Sequence, residues 1–148
     1  VDINEVFENV FNQLGFMISM HKPIIRINLN AAPVLRINKS YLESILLNLL
    51  TNAMKYRSQD RKLRININSK IKDKHLVLVF KDNGIGIDME RHSDKVFGLY
   101  QRFPNHADSK GLGLYLVKSQ VESMGGTISV ESEVNKGTTF TLIFKQEQ

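Results

Sequence analysis

Three groups of polar and glycine residues have types and spacings that could bind a charged ligand. In the first group, Asn52, Lys55 and Tyr56 follow Asn48 at offsets of four, seven and eight residues. Side chains at such offsets share one face of a helix. Taken alone, this pattern is most simply a solvated face on which an amide caps a neighbouring turn. The alternative is a polar ligand that needs amide, ammonium and aromatic contacts.

The second group is the segment from Asp82 to Gly86, which reads DNGIG. Asn-Gly is a strong hairpin signal, so a simple turn is one interpretation. No alternating strand follows, however, and the next residues, IDME, look like the start of a helix. The alternative is an aspartate at a strand end, followed by glycines that let a ligand approach the backbone.

The third group is KGLGL, from Lys110 to Leu114, which opens a predicted helix. Glycines at a helix N-terminus leave N–H groups free for phosphate. The segment lacks the Gly-Lys-Ser/Thr of a Walker A loop, and Leu116 stands where the dinucleotide-binding pattern has a third glycine. This signal is weak when considered alone.

Periodicity predicts the elements that position these groups. Apolar spacing predicts a helix over the first twenty residues that ends at Pro23, a long helix from a Ser40 cap to about Arg57, and a third helix over 112–124. Strands are predicted over 25–29, 63–67, 76–80, 127–132 and 138–144, with a short partner strand over 34–37. The apolar run at 76–80 favours a central strand covered on both faces. The segment 82–110 is predicted to be a long functional loop with short helical pieces. The fold class is α/β, with helices on one face of a mixed sheet.

Together, and in this order, the motifs resemble the sequence boxes of sensor histidine kinases. NLLTNAMKY from Asn48 resembles the N box, and DNGIG from Asp82 the first glycine box. VFGLYQRF from Val96 resembles the F box, GLGL from Gly111 the second glycine box, and GTTF from Gly137 the closing glycine-threonine strand. The resemblance covers nearly the whole chain and identifies it as similar to the ATP-binding catalytic domain of that family.

The resemblance implies a fold of the Bergerat type, shared with gyrase, a heat-shock chaperone and mismatch-repair ATPases. It is a two-layer α/β sandwich in which about three helices cover one face of a mixed sheet of about five strands. An ATP lid would lie between Asp88 and Lys110. We expect one such domain over residues 1–148.

The resemblance also implies roles for individual residues. Asp82 should accept a hydrogen bond from the adenine amino group, because an ionised carboxylate is only an acceptor. Gly84 and Gly86 should leave space for the base, and Thr138 should support the adenine end.

At the phosphate end, the resemblance assigns Asn52 to Mg²⁺, since Mg²⁺ prefers hard oxygen ligands. Asn48 should hold the phosphates, Lys55 should neutralise their charge, and Tyr56 should pack against the nucleotide. We therefore expect Asn48, Asn52 and Lys55 to act in catalysis. The remaining expected nucleotide contacts are Ile87, Lys110, Gly111, Leu112, Gly113 and Leu114.

Asn48 also bears on the reaction. In the superfamily's ATP hydrolases, a glutamate one helical turn before the metal asparagine activates water, and an amide cannot act as that general base. The resemblance thus favours phosphoryl transfer to another protein. The family's acceptor motif, similar to Ser-His-Glu-Leu-Arg-Thr-Pro, is absent from the sequence, whose four histidines lie in other contexts. The expected partners are a dimerisation/phosphoacceptor domain of the same parent protein and, indirectly, a response regulator receiver domain.

Composition is that of a globular protein, with 42% apolar and 24% charged residues in a chain of 148. The net charge of +5 is most simply a solvated basic surface, and a polyanionic ligand such as a nucleotide would suit it equally well. Without basic runs that interleave aromatics, it does not favour nucleic-acid binding. There are no cysteines, so disulfides and thiolate metal sites are excluded. We expect a monomeric cytoplasmic domain cut from a longer protein, which could itself be membrane-anchored.

Two other functions compete with the kinase domain. One is a superfamily ATPase that drives a conformational clamp, which Asn48 and the short chain disfavour. The other is an interaction module that no longer binds nucleotide, which the intact Asn52, Asp82 and glycine motifs disfavour.

Overall fold

Five strands form one mixed sheet. The computed structural model of the protein describes residues 2–29, 37–92, 96–97 and 113–145. The strands are β1 Ile24–Asn28, β2 Arg64–Lys72, β3 His75–Asp82, β4 Thr127–Glu133 and β5 Gly137–Phe144, in the spatial order β1-β2-β3-β5-β4. β1 runs parallel to β2, and every other neighbouring pair is antiparallel. The predicted α/β class and mixed five-stranded sheet are confirmed.

Helices supply the second layer. They are α1 Ile3–Gln13, α2 Gly15–His21, α3 Lys39–Lys55, α4 Met89–His92 and α5 Gly113–Ser123. The core lies between α1, α3 and α5 and one face of the sheet. The predicted apolar stripe of α3 is confirmed, because its seven residues are all buried: Leu42, Ile45, Leu46, Leu49, Leu50, Ala53 and Met54.

β3 is the central strand, as its apolar run predicts. Leu76, Leu78 and Phe80 alternate onto the helix face, where all three are fully buried. On the other face Val77 is buried, while Val79 is only half-buried. The prediction of cover on both faces is therefore only partly correct, since the core that the helices enclose lies on one side.

The predicted first helix is wrong in one respect, because it is two helices. Leu14 separates α1 from α2 with φ −96° and ψ 8°, outside regular helical geometry. Gly15 follows directly, and glycine has the lowest helix propensity after proline. Lys22 then takes a left-handed conformation with φ 47°, so α2 ends before Pro23.

The predicted cap of α3 is also wrong. Asn38, not Ser40, precedes the helix, and its Oδ1 accepts from the backbone N–H of Tyr41 at 3.1 Å. Asparagine is among the strongest N-cap residues. The predicted strand over 34–37 falls mostly outside the described residues, and Ile37 itself is in a bend.

Candidate nucleotide-binding site

A polar row crosses the sheet at the end of β3. Asp82 pairs with Thr138 on β5, and Thr138 pairs with Ser132 on β4. Directly paired residues share a face, and Asp82 continues the buried face of Phe80. The Oγ of Ser132 lies 2.8 Å from Oγ1 of Thr138. An apolar sheet face therefore ends in three adjacent polar side chains that face the helices.

The loop after β3 that contains Gly84 and Gly86, called the glycine loop here, packs closely against its surroundings. A Cβ on Gly84 would lie 2.6 Å from the carbonyl oxygen of Tyr56, and one on Gly86 would lie 2.0 Å from that of Glu133. Gly86 also has φ +74°, which L side chains rarely adopt. Both positions therefore require glycine for a physical reason that does not depend on a ligand.

Hydrogen bonds fix this loop on several sides. The N–H of Ile85 donates to the Tyr56 carbonyl at 2.9 Å, and the N–H of Ile87 donates to Oγ of Ser132 at 2.8 Å. Arg61 donates from Nε to the Asn83 carbonyl at 2.7 Å and from a terminal nitrogen to the Gly84 carbonyl at 2.6 Å. The loop is thus a rigid part of the fold.

Asp82 is a buried carboxyl, only 6% exposed. Burial raises its pKa to about 6, while the backbone N–H groups of Gly84 and Thr138 and the charge of Arg61 act to lower the pKa. The Gly84 N–H donates to Oδ1 at 2.8 Å. At pH 7 the group is mostly ionised, so it can accept a hydrogen bond from a ligand amino group.

A cavity of about 340 Å³, including the space at its mouth, opens above Asp82. The cavity is lined by Asn52, Tyr56, Asp82, Ile85, Gly86, Ile87 and Thr138. Six of these seven residues are predicted nucleotide contacts, and Ile85 is the additional one.

Asn48 lies one helical turn before Asn52 and points towards α5. Its amide nitrogen donates to the Ser44 carbonyl at 2.9 Å, so the amide is bonded to its own helix. A Cβ on Gly113, the first residue of α5, would lie 3.3 Å from Oδ1 of Asn48. The structure therefore brings the predicted N-box amide against the start of the α5 helix.

The other predicted site residues lie further from the cavity or outside the described chain. Lys55 is the last residue of α3 and does not line the cavity. The side chain of Leu114 is only 8% exposed and belongs to the core, so any ligand contact there would come from the backbone. Lys110, Gly111 and Leu112 lie outside the described residues, as does most of the predicted lid.

The described part of the predicted F box packs on the core. Val96 is 3% exposed. Phe97 meets Phe140 of β5 edge-on with ring centroids 6.1 Å apart, and Nζ of Lys118 lies 5.7 Å from the Phe97 centroid. Phe97 therefore lies beside β5 and α5.

Donor chemistry limits how a metal ion could bind. Among the described residues, no group of three or more His, Cys, Asp or Glu side chains could hold a metal ion. Asn52 offers an amide oxygen at the cavity, and no hydrogen bond from this side chain to another described residue is present. One neutral oxygen fits a Mg²⁺ ion that takes its other ligands from phosphates and water.

Sequence reasoning missed Ser132, Arg61 and Asn83 as parts of the site. Ser132 is found only through strand pairing, since it lies opposite Thr138. Asn83 accepts from the Arg64 N–H through Oδ1 at 2.7 Å, which ties the loop to the start of β2. Arg61 lies in an irregular turn, and neither spacing nor residue type indicates its two carbonyl partners.

No helix in the described ranges combines the length and apolar character needed to cross a membrane.

Comparison with known proteins agrees with this architecture. The family described as histidine kinase-, DNA gyrase B-, and HSP90-like ATPase matches residues 37–148. The sensor protein RprX of Bacteroides fragilis is 34% identical over 147 residues, which cover 96% of this chain and 28% of that protein. The signal transduction histidine-protein kinase ArlS of Staphylococcus haemolyticus is 35% identical over 114 residues, covering 75% of this chain and 25% of that protein. The chain spans about a quarter of the length of these relatives.

Solved structures share the fold. The mycobacterial sensor histidine kinase MprB has a TM-score of 0.81 at 23% identity, with 99% of each chain covered. Full-length ShkA in complex with AMPPNP has a TM-score of 0.80 at 22% identity, covering 100% of this chain and 31% of that one. With the family match over most of its length, the chain belongs to the histidine kinase-, DNA gyrase B- and HSP90-like ATPases, as an ATP-binding catalytic domain of the sensor histidine kinase type.

Proposed function

We propose that this domain binds Mg²⁺-ATP and donates its γ-phosphoryl group to a histidine on a separate dimerisation/phosphoacceptor domain of the same parent protein. The observation that carries the proposal is Asp82, a carboxyl that is 6% exposed and lines a cavity whose other walls are mainly backbone and apolar side chains. A buried charge is costly unless it is paired or hydrogen-bonded. The N–H groups of Gly84 and Thr138 already bond this carboxyl, and an amino group on a flat base would supply a further partner from the cavity side.

The base end of the site favours adenine over guanine. Asp82 presents an acceptor, which matches the 6-amino group of adenine and opposes the 6-carbonyl of guanine when the two bases bind in the same orientation. Thr138 and Ser132 add hydroxyl groups beside it. Gly84 and Gly86 keep the wall of the cavity free of side chains.

The phosphate end would be formed by α3 and the N-terminus of α5. Asn52 would supply an oxygen to Mg²⁺, which when bound neutralises triphosphate charge. Asn48 and the backbone around Gly113 would hold phosphate oxygens, since N–H groups at a helix N-terminus are unpaired. Lys55, Tyr56, Ile87 and the segment from Lys110 to Leu114 are proposed as further contacts.

The identity of residue 48 favours transfer of the phosphoryl group to another protein over hydrolysis of ATP. Asn48 would occupy the position of the hydrolytic glutamate, and its amide is already bonded to the Ser44 carbonyl. It has no basic nitrogen with which to activate water. Phosphoryl transfer depends mainly on positioning and charge neutralisation, so an imidazole supplied by a partner domain is the remaining requirement.

The proposed partners follow from this division of labour. The phosphoacceptor domain would present its histidine to the γ-phosphate, and a response regulator receiver domain would accept the phosphoryl group afterwards. We place the domain in the cytoplasm, where ATP and both partners would meet.

Labelling with γ-labelled ATP tests the proposal. The chain alone should bind ATP yet remain unlabelled, and adding the parent protein's dimerisation domain should label that domain. Phosphohistidine is acid-labile and base-stable, so the label should survive base and be lost in acid. The control is a dimerisation domain with its histidine replaced by glutamine. Stable labelling of this chain alone, or rapid ATP hydrolysis without the partner, would contradict the proposal.

A further inference from the structure

One peptide group links Arg61 to Asp82. Nε of Arg61 donates to the carbonyl oxygen of Asn83 at 2.7 Å, and the N–H of Gly84 donates to Oδ1 of Asp82 at 2.8 Å. The Asn83 carbonyl and the Gly84 N–H belong to the same peptide unit, which is trans. In a trans peptide the C=O and N–H point in opposite directions. The guanidinium and the carboxylate therefore lie at the two ends of one peptide dipole, each bonded to the end of opposite charge.

The second bond from Arg61 makes this arrangement specific to a guanidinium. A terminal nitrogen donates to the Gly84 carbonyl at 2.6 Å, so two successive carbonyls are held by one planar fork. A lysine ammonium lacks that fixed geometry. Hydrogen bonds in series also polarise one another where water is excluded, and Gly84 is buried while Arg61 is half-buried.

We propose that Arg61 is a positioning residue of the nucleotide site, which orients the Asn83–Gly84 peptide so that its N–H stabilises the ionised Asp82 carboxylate that receives the base. The inference rests on the proposed function, since it takes Asp82 to be the base contact. Arg61 does not line the cavity, so it would act through the loop and through its charge rather than by contact with the base.

The pKa of Asp82 depends on opposing effects, so the proposed role of Arg61 should have a measurable consequence for that pKa. Burial raises the pKa of this carboxyl, and the Gly84 N–H and the Arg61 charge both oppose that rise. Removing Arg61 weakens both opposing effects, so the pKa should rise further. Base recognition needs the ionised form, so affinity in such a variant should be lost at a higher pH than in the wild type.

Other charged groups near Asp82 do not strongly favour either the ionised or the protonated form of its carboxyl. Besides Arg61, the described titratable residues that line the depressions shared with Asp82 are Tyr56 directly after α3, Lys81 on β3, Glu131 and Glu133 on β4, and Lys136 in the turn before β5. The two lysines and two glutamates carry opposite charges in equal number. Arg61 is the charged residue identified as lowering the pKa of Asp82.

The test compares Arg61→Gln and Arg61→Lys with the wild type. Lys62→Gln is the matched control, because it removes one positive charge from the neighbouring exposed position. The first measurement is a carbon-13 NMR titration of the Asp82 carboxyl without nucleotide. The second is ADP affinity from pH 5 to 9 in excess chelator, compared between variants at each pH so that titration of the nucleotide cancels.

We expect Arg61→Gln to raise the Asp82 pKa by about one unit, the size of shift that a lost charged neighbour gives. Its ADP affinity should then fall about fivefold relative to the wild type near pH 6 and about twofold near pH 7. Arg61→Lys should show a smaller rise in the same direction, and Lys62→Gln should follow the wild type.

An unchanged Asp82 titration in folded Arg61→Gln would overturn the inference. Should that variant fail to fold, an unchanged titration in Arg61→Lys would overturn it equally. The proposed function fails separately, if the wild type does not bind ADP or if the carboxyl titration shifts while ADP affinity does not.

Discussion

The two ends of the candidate site are built differently. The base end consists of strand ends and a glycine loop, in which Asp82, Gly84 and Ile87 are fixed by hydrogen bonds to described neighbours. The proposed phosphate end consists of side chains on one face of α3 together with the start of α5. There Asn48 is bonded to its own helix, and Asn52 faces the cavity without a described side-chain hydrogen bond.

The base end is therefore preorganised before a ligand binds, whereas the phosphate end would be completed by the ligand. A rigid base end needs little ordering when a base binds, which lowers the entropic cost of association. On the proposed function, a metal ion and phosphates would supply further partners for Asn52 at the phosphate end. Substitutions at the base end should therefore change stability and binding together, whereas those at the phosphate end should change binding alone.

The largest expected effect is that of Gly86→Ala. Gly86 and Gly125 share φ +74°, but an added Cβ would lie 2.0 Å from the Glu133 carbonyl oxygen at Gly86 and would meet nothing within 4 Å at Gly125. We expect Gly125→Ala to lower the free energy of unfolding by about 1–2 kcal/mol from backbone strain alone. Gly86→Ala should lower it by about 3–5 kcal/mol and abolish nucleotide binding. Chemical denaturation measures both. Equal losses would show that the base end is not tightly packed.

Asp82→Asn should stabilise the protein while impairing its site. The pKa of Asp82 is raised from 3.8 to about 6 by burial. A raised carboxyl pKa means that the native state holds the proton more tightly, so stability falls as pH rises from about 4 to 6 and then stays lower. The advantage of the asparagine variant in unfolding free energy should grow by about 1–3 kcal/mol between pH 4 and pH 7. The check is denaturation at both pH values without nucleotide. If the difference in unfolding free energy between the two proteins is the same at both pH values, burial does not raise the pKa of Asp82.

Asn52→Ala should separate the two ends by their metal dependence. Alanine has no oxygen to replace the amide, so ATP affinity in Mg²⁺ should fall about tenfold, the size of one lost ligand interaction of about 1.4 kcal/mol. In excess chelator the variant and the wild type should bind alike, and their stabilities should match. A loss of equal size under both conditions would remove Asn52 from the metal site.

Gly113→Ala should have the smallest effect. The added Cβ would lie 3.3 Å from Oδ1 of Asn48, a side-chain atom that can shift, and the position opens α5. We expect the unfolding free energy to change by less than about 0.5 kcal/mol. ATP affinity should stay within about threefold of the wild type. A loss comparable to that of Gly86→Ala would mean that the phosphate end is as rigid as the base end.

Periodicity predicted those elements whose apolar residues meet the core. The α3 stripe and the strands after residue 62 are correct because burial selected the same residues that spacing indicated. β2 nevertheless extends to Lys72, beyond its predicted end. The hairpin to β3 turns at Asp73 and Lys74 with φ 52° and 66°, although neither residue is glycine. Strand pairing thus imposed a turn that the local sequence does not predict.

The candidate site was predictable where a residue type itself carries the chemistry. Asp82, Asn52 and the glycines were predicted from the resemblance of their motifs, and the structure places Asp82, Asn52 and Gly86 around one cavity. Arg61 and Ser132 were not found, because their roles depend on carbonyls and hydroxyls brought close by pairing between strands. These supporting contacts exist only in the folded protein.

The central claim is that the cavity above Asp82 recognises an adenine nucleotide, and calorimetric titration with ATP and GTP tests it most directly. Wild-type protein in Mg²⁺ should bind ATP at least about tenfold more tightly than GTP, because each lost or opposed charge-assisted hydrogen bond costs about 1.5–3 kcal/mol. Asp82→Asn should weaken ATP binding about tenfold or more and reduce the preference for ATP. Equal binding of ATP and GTP by the wild type, or an unchanged ATP affinity in Asp82→Asn, would contradict the account.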